Sequence, residues 1–151
     1  MSGRYFEDWS VGDTVAHPIR RTVTEADNLL ITTLTHNPQP LHLDAEYAKG
    51  TEFGQIVVNG TFTFALMVGI SVAETTLGTL VANLGYDGVK MPKPVFIGDT
   101  LYAESEIMER RESKSRPHQG IVTFRTTGKK ADGTVVMTYT RTILVPKRGT
   151  E

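Results

Sequence analysis

The pattern of hydrophobic and polar residues changes character near Gly78, at about the middle of the chain. Before this point, apolar residues recur at helical spacing in one segment and cover nearly every face of another. After it, apolar and polar residues alternate over several long stretches. Spacings of three and four residues indicate helices, whereas alternation indicates strands with one buried face. The sequence therefore predicts helices first and then an antiparallel sheet.

Three helices are predicted in the first half of the chain. Residues 25–35 carry apolar side chains at helical spacing behind Thr24, a residue type that caps helix starts. Residues 44–49 form a short helix that Asp44 caps. The third helix covers residues 62–73 and is apolar on nearly every face, which is typical of a buried helix. We expect this third helix to form the interior of the fold.

The second half predicts four strands, over residues 79–91, 99–109, 120–128 and 134–146. A tight turn at Ala131-Asp132-Gly133 connects the last two strands. A short strand over residues 14–22, interrupted at Pro18, precedes the helices. An antiparallel sheet curled around one buried helix is an α+β layer architecture. At 151 residues, we expect one domain covering residues 1–151.

Composition narrows the classes of function. The net charge of −1 argues against a nucleic-acid or anionic-membrane partner recognised by bulk charge. The absence of cysteine excludes disulfides, thiolate metal sites and a cysteine nucleophile. The first residues lack an apolar signal core, and no stretch is long enough to span a bilayer. We therefore expect a soluble cytoplasmic protein.

Candidate chemistry begins in the segment Thr35–Asp44, here called the proline arm. Two prolines, which lack an N–H and have a fixed φ, predict a stiff segment without regular helix. The arm presents the amide of Asn37 and the imidazole of His42, five positions apart. A histidine on a rigid segment is well placed to act as a general base. The alternative is a connector whose histidine merely pairs with a backbone group, and the residues alone support both interpretations equally.

Metal binding by the arm is not expected. Imidazole and carboxylate groups suit zinc, so His36, His42 and Asp44 are conceivable ligands. The intervening prolines, however, provide no helical or strand face that would bring them together. The other two histidines, His17 and His118, are expected to be structural or solvated.

Three motifs in order along the chain resemble the MaoC-like hydratases. They are Leu41-His42-Leu43-Asp44, the pair Asn59-Gly60 that opens an apolar helix, and residues 94–100, Pro-Val-Phe-Ile-Gly-Asp-Thr. The resemblance runs from about Phe6 to Val145. It implies a hot-dog fold, in which a sheet wraps a central helix, and a homodimer or dimer-based homo-oligomer. It also implies an acyl-CoA substrate and reversible addition of water to the 2,3 double bond of an enoyl-CoA, with coenzyme A as part of the substrate and no separate cofactor.

One departure from the family pattern concerns the acid–base pair. The resemblance places His42 on the family's histidine and Asn37 on its aspartate, five residues earlier. Since an amide cannot take a proton, His42 would be the sole base. Asn37 would orient the water through a hydrogen bond. The asparagine-containing arm resembles the branch acting on mesaconyl-, itaconyl- or 3-methylmalyl-type CoA esters.

Hydration of a thioester also requires donors for the negative charge on its oxygen. Gly60 begins the apolar helix, where free N–H groups and the positive end of the helix dipole coincide. We expect the Gly60 N–H, aided by that of Thr61, to act as the oxyanion donor, although this glycine could instead only relieve crowding. Asn59, Thr61 and Lys93 are the predicted substrate-binding residues.

Lys90, Lys93 and the basic run Arg110–Arg116 are candidates for contact with the phosphates of CoA. For the basic run, a solvated hairpin tip is the favoured interpretation.

Two other functions compete with hydration. A hot-dog thioesterase generally needs a carboxylate on the central helix, but residues 60–73 contain none and Glu74 lies at the far end. A non-catalytic acyl-CoA-binding subunit would explain the missing aspartate, whereas His42 and Gly60 argue against it.

Overall fold

The computed structural model describes residues 3–149. A 3-10 turn covers Phe6–Asp8. The helices are α1 (Glu25–Leu34), α2 (Pro40–Leu43), α3 (Ala45–Lys49) and α4 (Gly60–Thr75). The strands are β1 (Thr14–Ala16), β2 (Arg21–Thr22), β3 (Ala82–Lys90), β4 (Thr100–Glu112), β5 (Gln119–Lys130) and β6 (Val135–Pro146).

The strands form one antiparallel sheet in the order β1-β4-β5-β6-β3, and β2 also pairs with β4. The predicted turn between β5 and β6 is confirmed. There the Lys130 N–H donates to the Thr134 carbonyl at 2.9 Å, and Gly133 has a φ of 88°. Glycine adopts this left-handed conformation without a side-chain clash.

Helix α4 packs against the inner face of the sheet. Met67 and Ile70 of α4 are buried with Leu101, Met137 and Tyr139 from β4 and β6. The predicted α+β arrangement of a helix against a curled antiparallel sheet is confirmed. A second buried cluster, at the other end of the sheet, gathers around Trp9, whose ring stacks on Phe124 at a centroid distance of 5.7 Å.

Two expectations about the helices are wrong. Helix α4 begins at Gly60 as predicted, but it is not enclosed by its own chain, because the sheet covers only one of its faces. Thr63 and Met67 are buried, while Ala65 and Gly69 on the opposite face are exposed. The proline arm is also not free of helix, since α2 begins at Pro40. Proline is accommodated there because the first residue of a helix needs no N–H donor and its fixed φ suits the helix.

The strand boundaries require two further corrections. Strand β3 begins at Ala82, three residues later than predicted. Strand β4 continues to Glu112, so Arg110 and Arg111 are strand residues and the loop covers only residues 113–118. The arginines extend β4 because their backbone pairs with β5, opposite Val122 and Ile121.

Candidate active site

The proline arm is fixed to α1 by hydrogen bonds around Asn37. Its backbone N–H donates to the Thr32 carbonyl at 3.0 Å. Its side-chain oxygen accepts from the Gln39 N–H at 3.0 Å, which forms a tight turn before α2. The Gln39 carbonyl in turn accepts from the His42 N–H at 3.1 Å. Asn37 therefore shapes the turn that leads into the helix carrying His42.

The ring of His42 is held by a single backbone carbonyl. Its Nδ1 lies 2.7 Å from the Val57 oxygen. Because a carbonyl can only accept a hydrogen bond, Nδ1 must carry the proton. In the neutral ring, this assignment leaves Nε2 with an unprotonated lone pair. The arrangement provides what a general base requires.

His42 and Gly60 line one cleft of about 450 Å³. The cleft lies between α2, the start of α4, strand β6 and the segment that precedes β4. Its walls are largely apolar and include Phe53, Val95 and Met137. Among the lining residues found within positions 3–149, Lys93 is the only cation and no carboxylate is present. The cleft therefore suits an apolar chain with one charged contact.

The backbone N–H of Gly60 is available at the start of α4. It donates no hydrogen bond to any residue in the described part of the chain. A side chain at this position would collide with the thioether of Met91, which also lines the cleft. Met91 is 53% exposed, and methionine is a flexible side chain. Both interpretations of Gly60, a free donor and relief of crowding, therefore have a structural basis.

Residues next to Gly60 are engaged elsewhere. The Asn59 side-chain oxygen accepts from the N–H of Thr61 at 3.0 Å and from its hydroxyl at 2.7 Å. The Thr61 N–H is therefore occupied by the helix cap, and Gly60 alone offers a free donor there. Neither Asn59 nor Thr61 lines the cleft, and their predicted contacts with substrate stay predictions.

Asn28, which the sequence analysis did not identify, connects the arm to the start of α4. This residue of α1 is only 2% exposed. Its amide nitrogen donates to the His42 carbonyl at 2.9 Å, and its oxygen accepts from the Asn59 N–H at 2.9 Å. One buried side chain thus fixes the two elements that carry the candidate base and the candidate oxyanion donor.

Most of this chain matches a known protein family. Residues 8–130 match the family model described as MaoC like domain. The chain belongs to the MaoC-like family. The resemblance inferred from the three sequence motifs is thereby confirmed.

Two curated proteins illustrate the range of relatives of this MaoC-like chain. A mesaconyl-CoA hydratase from Cereibacter sphaeroides is 37% identical over 149 residues, which cover 99% of this chain and 43% of that protein. An (R)-specific enoyl-CoA hydratase from Rhodospirillum rubrum is 31% identical, with 96% of this chain and 94% of that protein covered. The chain thus spans less than half of the first relative and nearly all of the second.

Solved structures agree with the fold. A putative MaoC domain protein dehydratase from Chloroflexus aurantiacus superposes with a TM-score of 0.90 at 31% identity, covering 97% of this chain and 41% of that one. A Mycobacterium tuberculosis protein described as having a double hotdog fold superposes with a TM-score of 0.86 at 22% identity, covering 99% of this chain and 46% of that one. The predicted hot-dog fold of this MaoC-like chain is confirmed.

The remaining histidines of the MaoC-like chain lie outside the cleft lining. His36 is exposed and has a φ of 54°, and the Asp44 carboxylate caps α3. His17 is buried and lies between the Glu74 carboxylate, at 3.0 Å, and the Ser105 hydroxyl, at 2.9 Å. Over residues 3–149, no group of three or more histidine, aspartate and glutamate side chains is placed to hold a metal ion.

Tyr139 is buried in the core beside α4, and it packs edge-on against Phe64 and Tyr86. Burial raises the pKa of Tyr139 to about 12. Its hydroxyl therefore stays protonated at neutral pH and is not a second candidate base.

The basic segment lies far from the cleft within this chain. Strand β4 begins five residues after the cleft residue Val95, and Arg110 and Arg111 lie near its opposite end, paired with Val122 and Ile121 of β5. The Arg110 guanidinium lies over the Phe6 ring at 4.3 Å, and Arg116 contacts Gln119. Contact between this segment and a ligand in the same chain's cleft is not supported by this geometry.

The described residues contain no helix long and apolar enough to cross a bilayer.

Proposed function

We propose that this chain catalyses reversible addition of water to the 2,3 double bond of an enoyl-CoA thioester. The observation that carries the proposal is the shared cleft, whose lining includes both His42 and Gly60. Membership of the MaoC-like family supports this chemistry, because named relatives are hydratases.

The proposed reaction needs only these two groups and water. Nε2 of His42 removes a proton from water while the oxygen forms a bond to C3 of the substrate. The electrons of the double bond shift toward the thioester, and the Gly60 N–H stabilises the negative charge on its oxygen. The imidazolium then gives its proton to C2. The elements of water are added across the double bond, and His42 returns to its neutral state.

Asn37 is the proposed water-orienting residue. Its side-chain oxygen already accepts from Gln39, while its NH₂ group forms no hydrogen bond within residues 3–149. That NH₂ group is the one available to water. Asn37 does not line the cleft, so we expect its contribution to be smaller than that of His42.

A short branched dicarboxylic acyl group is the proposed substrate type. Mesaconyl-CoA hydratase and β-methylmalyl-CoA dehydratase are among the named relatives of this chain. The cleft supports this choice because it is small, apolar and contains one cation, Lys93. Lys93 would contact an anionic group of the substrate, and coenzyme A would enter as part of that substrate.

A homodimer is the proposed assembly. Strand β3 lies at the edge of the sheet and exposes Leu84 and Val89, which are 51% and 41% accessible. An edge strand with exposed apolar side chains is prone to pairing with another strand. Helix α4 also leaves Ala65 and Gly69 uncovered. The family resemblance implies that this partner is a second copy of the same chain.

We also propose that the protein is located in the cytoplasm.

The competing thioesterase is not favoured by the cleft. The lining residues in the described chain include no carboxylate that could act as base or nucleophile. The functions are separated by incubating the protein with crotonyl-, mesaconyl- and itaconyl-type CoA esters. Loss of the enoyl absorbance without release of free CoA is the expected result. Release of free CoA would instead identify a thioesterase, and binding without turnover would identify a non-catalytic subunit.

A further inference from the structure

A buried hydroxyl without a partner borders the cleft. Thr63 is 2% exposed, and its Oγ1 has no hydrogen-bond partner within residues 3–149. A threonine within a helix commonly bonds the carbonyl four residues earlier, but the Asn59 carbonyl accepts only backbone N–H groups here. An unpaired buried hydroxyl destabilises a folded protein. A ligand in the cleft can supply the missing partner.

Thr63 lies one helical turn beyond Gly60. Residues three positions apart share a face of a helix, and their separation along the axis is about 4.5 Å. Both residues line the cleft. If the Gly60 N–H holds the thioester oxygen, Thr63 lies close enough to reach the acyl chain a few bonds further on. This placement rests on the proposed function.

The rest of the cleft determines which substituent could reach this hydroxyl. The cleft walls are largely apolar and include Val58, Val136 and Met137. Lys93, the cation of the cleft, takes part in none of the ion pairs formed within residues 3–149. A group that needs both a hydrogen-bond donor and a positive charge is an anionic oxygen, such as a carboxylate.

We propose that Thr63 and Lys93 form a subsite for a carboxylate on the acyl chain. The Thr63 hydroxyl donates a hydrogen bond to this carboxylate, and the Lys93 ammonium compensates its charge. Thr63 is then a specificity-determining residue that selects thioesters of dicarboxylic acids over those of simple fatty acids.

Binding of two unreactive thioesters tests the subsite without requiring turnover. Succinyl-CoA and butyryl-CoA are both saturated, and they differ by a carboxylate in place of a methyl group. Isothermal titration calorimetry would be performed with the intact protein and with Thr63→Val and Thr63→Ser. Valine matches the shape of threonine without its hydroxyl, whereas serine keeps the hydroxyl.

The intact protein is expected to bind succinyl-CoA more tightly than butyryl-CoA. Thr63→Val should weaken succinyl-CoA binding by about 10-fold or more and change butyryl-CoA binding by less than about threefold. Thr63→Ser should retain the preference. Since Thr63→Val removes an unpaired buried hydroxyl, it should also raise the melting temperature of the unliganded protein, which separates lost recognition from misfolding.

Equal weakening of both thioesters by Thr63→Val, or no weakening of either, would overturn the subsite. The proposed hydratase function fails separately. If the intact protein hydrates neither crotonyl-CoA nor its carboxylate-bearing counterpart, while the selective binding of succinyl-CoA persists, the reaction is wrong and the subsite stands.

Discussion

At the scale of single residues, the Val57 carbonyl determines which nitrogen of His42 carries the proton. The 2.7 Å contact to Nδ1 leaves Nε2 as the basic atom. In the proposed mechanism the Gly60 N–H supplies the second function, because it is a donor without a competing acceptor in the described chain. A base and a donor in one cleft are the minimum that hydration of a thioester requires.

Replacement of Asn28 tests whether this geometry depends on the bridge between the arm and α4. Asn28→Asp keeps the size and can still accept from the Asn59 N–H, but it cannot donate to the His42 carbonyl. We expect kcat to fall about 10- to 100-fold with little change in KM, because small displacements of a catalytic group carry costs of this order. Steady-state kinetics with an enoyl-CoA measure both constants.

Thr33→Ala is the matched control for Asn28, since Thr33 lies on the exposed face of the same helix and bonds only to α1 carbonyls. Its kinetics should equal those of the intact protein. Unaltered kcat in Asn28→Asp would show that the bridge does not position His42.

Replacement of Asn37 by alanine should leave a measurable remnant of activity. The variant loses the proposed water contact and the hydrogen bond to the Gln39 N–H, but the base and the oxyanion donor remain. The rate of loss of enoyl absorbance, measured at saturating substrate, provides the comparison. Activity as low as that of a variant lacking His42 would assign Asn37 an essential role that this account does not give it.

Sequence reasoning found His42 and Gly60 because each belongs to a local motif. It missed Asn28 because the contacts of Asn28 reach residues 14 and 31 positions away. The sequence did contain a signal for Asn28, because Asn28 and Thr32 are four positions apart and therefore form a polar face on α1. These two residues are buried, while Leu29, Leu30 and Leu34 of the same helix are exposed. Helix α1 therefore buries its polar face and exposes its apolar face to solvent.

At the scale of elements, a capping box fixes the start of α1. The Thr24 hydroxyl accepts from the Asp27 N–H at 3.2 Å, and the Thr24 N–H donates to the Asp27 carboxylate at 2.8 Å. The Arg21 guanidinium also contacts this carboxylate at 2.7 Å. Burial, the largest single effect, raises the pKa of Asp27, but the hydrogen bonds from Thr24 and Arg21 together lower it below 3.8.

Asp27→Asn tests this cap through the pH dependence of stability. A carboxylate with a lowered pKa stabilises the fold above its ordinary pKa of 3.8, and this stabilisation is lost as pH falls through the folded-state value. Asp27→Asn should therefore cost about 0.5–1 kcal/mol at pH 7, with a smaller difference from the intact protein at pH 3. Urea unfolding at both pH values measures the effect.

Asp13→Asn is the corresponding control, because Asp13 is exposed and its side chain makes no hydrogen bond within residues 3–149. It should change stability at neither pH. An Asp27→Asn deficit that stays the same at pH 3 would contradict the charge-based account of the cap.

The elements differ in how far local sequence could predict them. The turn at Gly133 and the alternating strands β4 to β6 follow from local patterns, and they were predicted correctly in type. Helix α2 was not predicted, because the two prolines were interpreted only as helix breakers. Pro40 instead occupies the first helical position, where its missing N–H has no consequence.

At the scale of the whole molecule, two apolar surfaces are exposed to solvent: the edge of β3 and the uncovered face of α4. Only a partner molecule can bury them. Leu84→Lys places a charge on that edge and should convert the proposed dimer into monomers, because burying an unpaired charge is unfavourable. Size-exclusion chromatography with light scattering measures the molecular mass. The chain mass is 16.6 kDa, so the two states differ clearly.

Val11→Lys is the control for this experiment. Val11 is 62% exposed in a turn outside the edge strand, and its replacement should leave the mass of the assembly unchanged. A monomeric intact protein, or a Leu84→Lys dimer, would show that β3 is not the interface.

The full burial predicted for α4 illustrates what a single sequence cannot show. An apolar helix needs cover on every side, but the sequence does not state whether its own chain or another one provides it. Here the sheet covers the face with Met67 and Ile70 and leaves the face with Ala65 and Gly69 open.

The most direct test of the central claim is the turnover number of His42→Ala with the preferred enoyl-CoA, measured beside His118→Ala, which removes an exposed histidine away from the cleft. Loss of the general base should lower kcat by about 10²- to 10⁴-fold, with the variant still folded and His118→Ala fully active. Normal turnover by a folded His42→Ala protein would contradict the account.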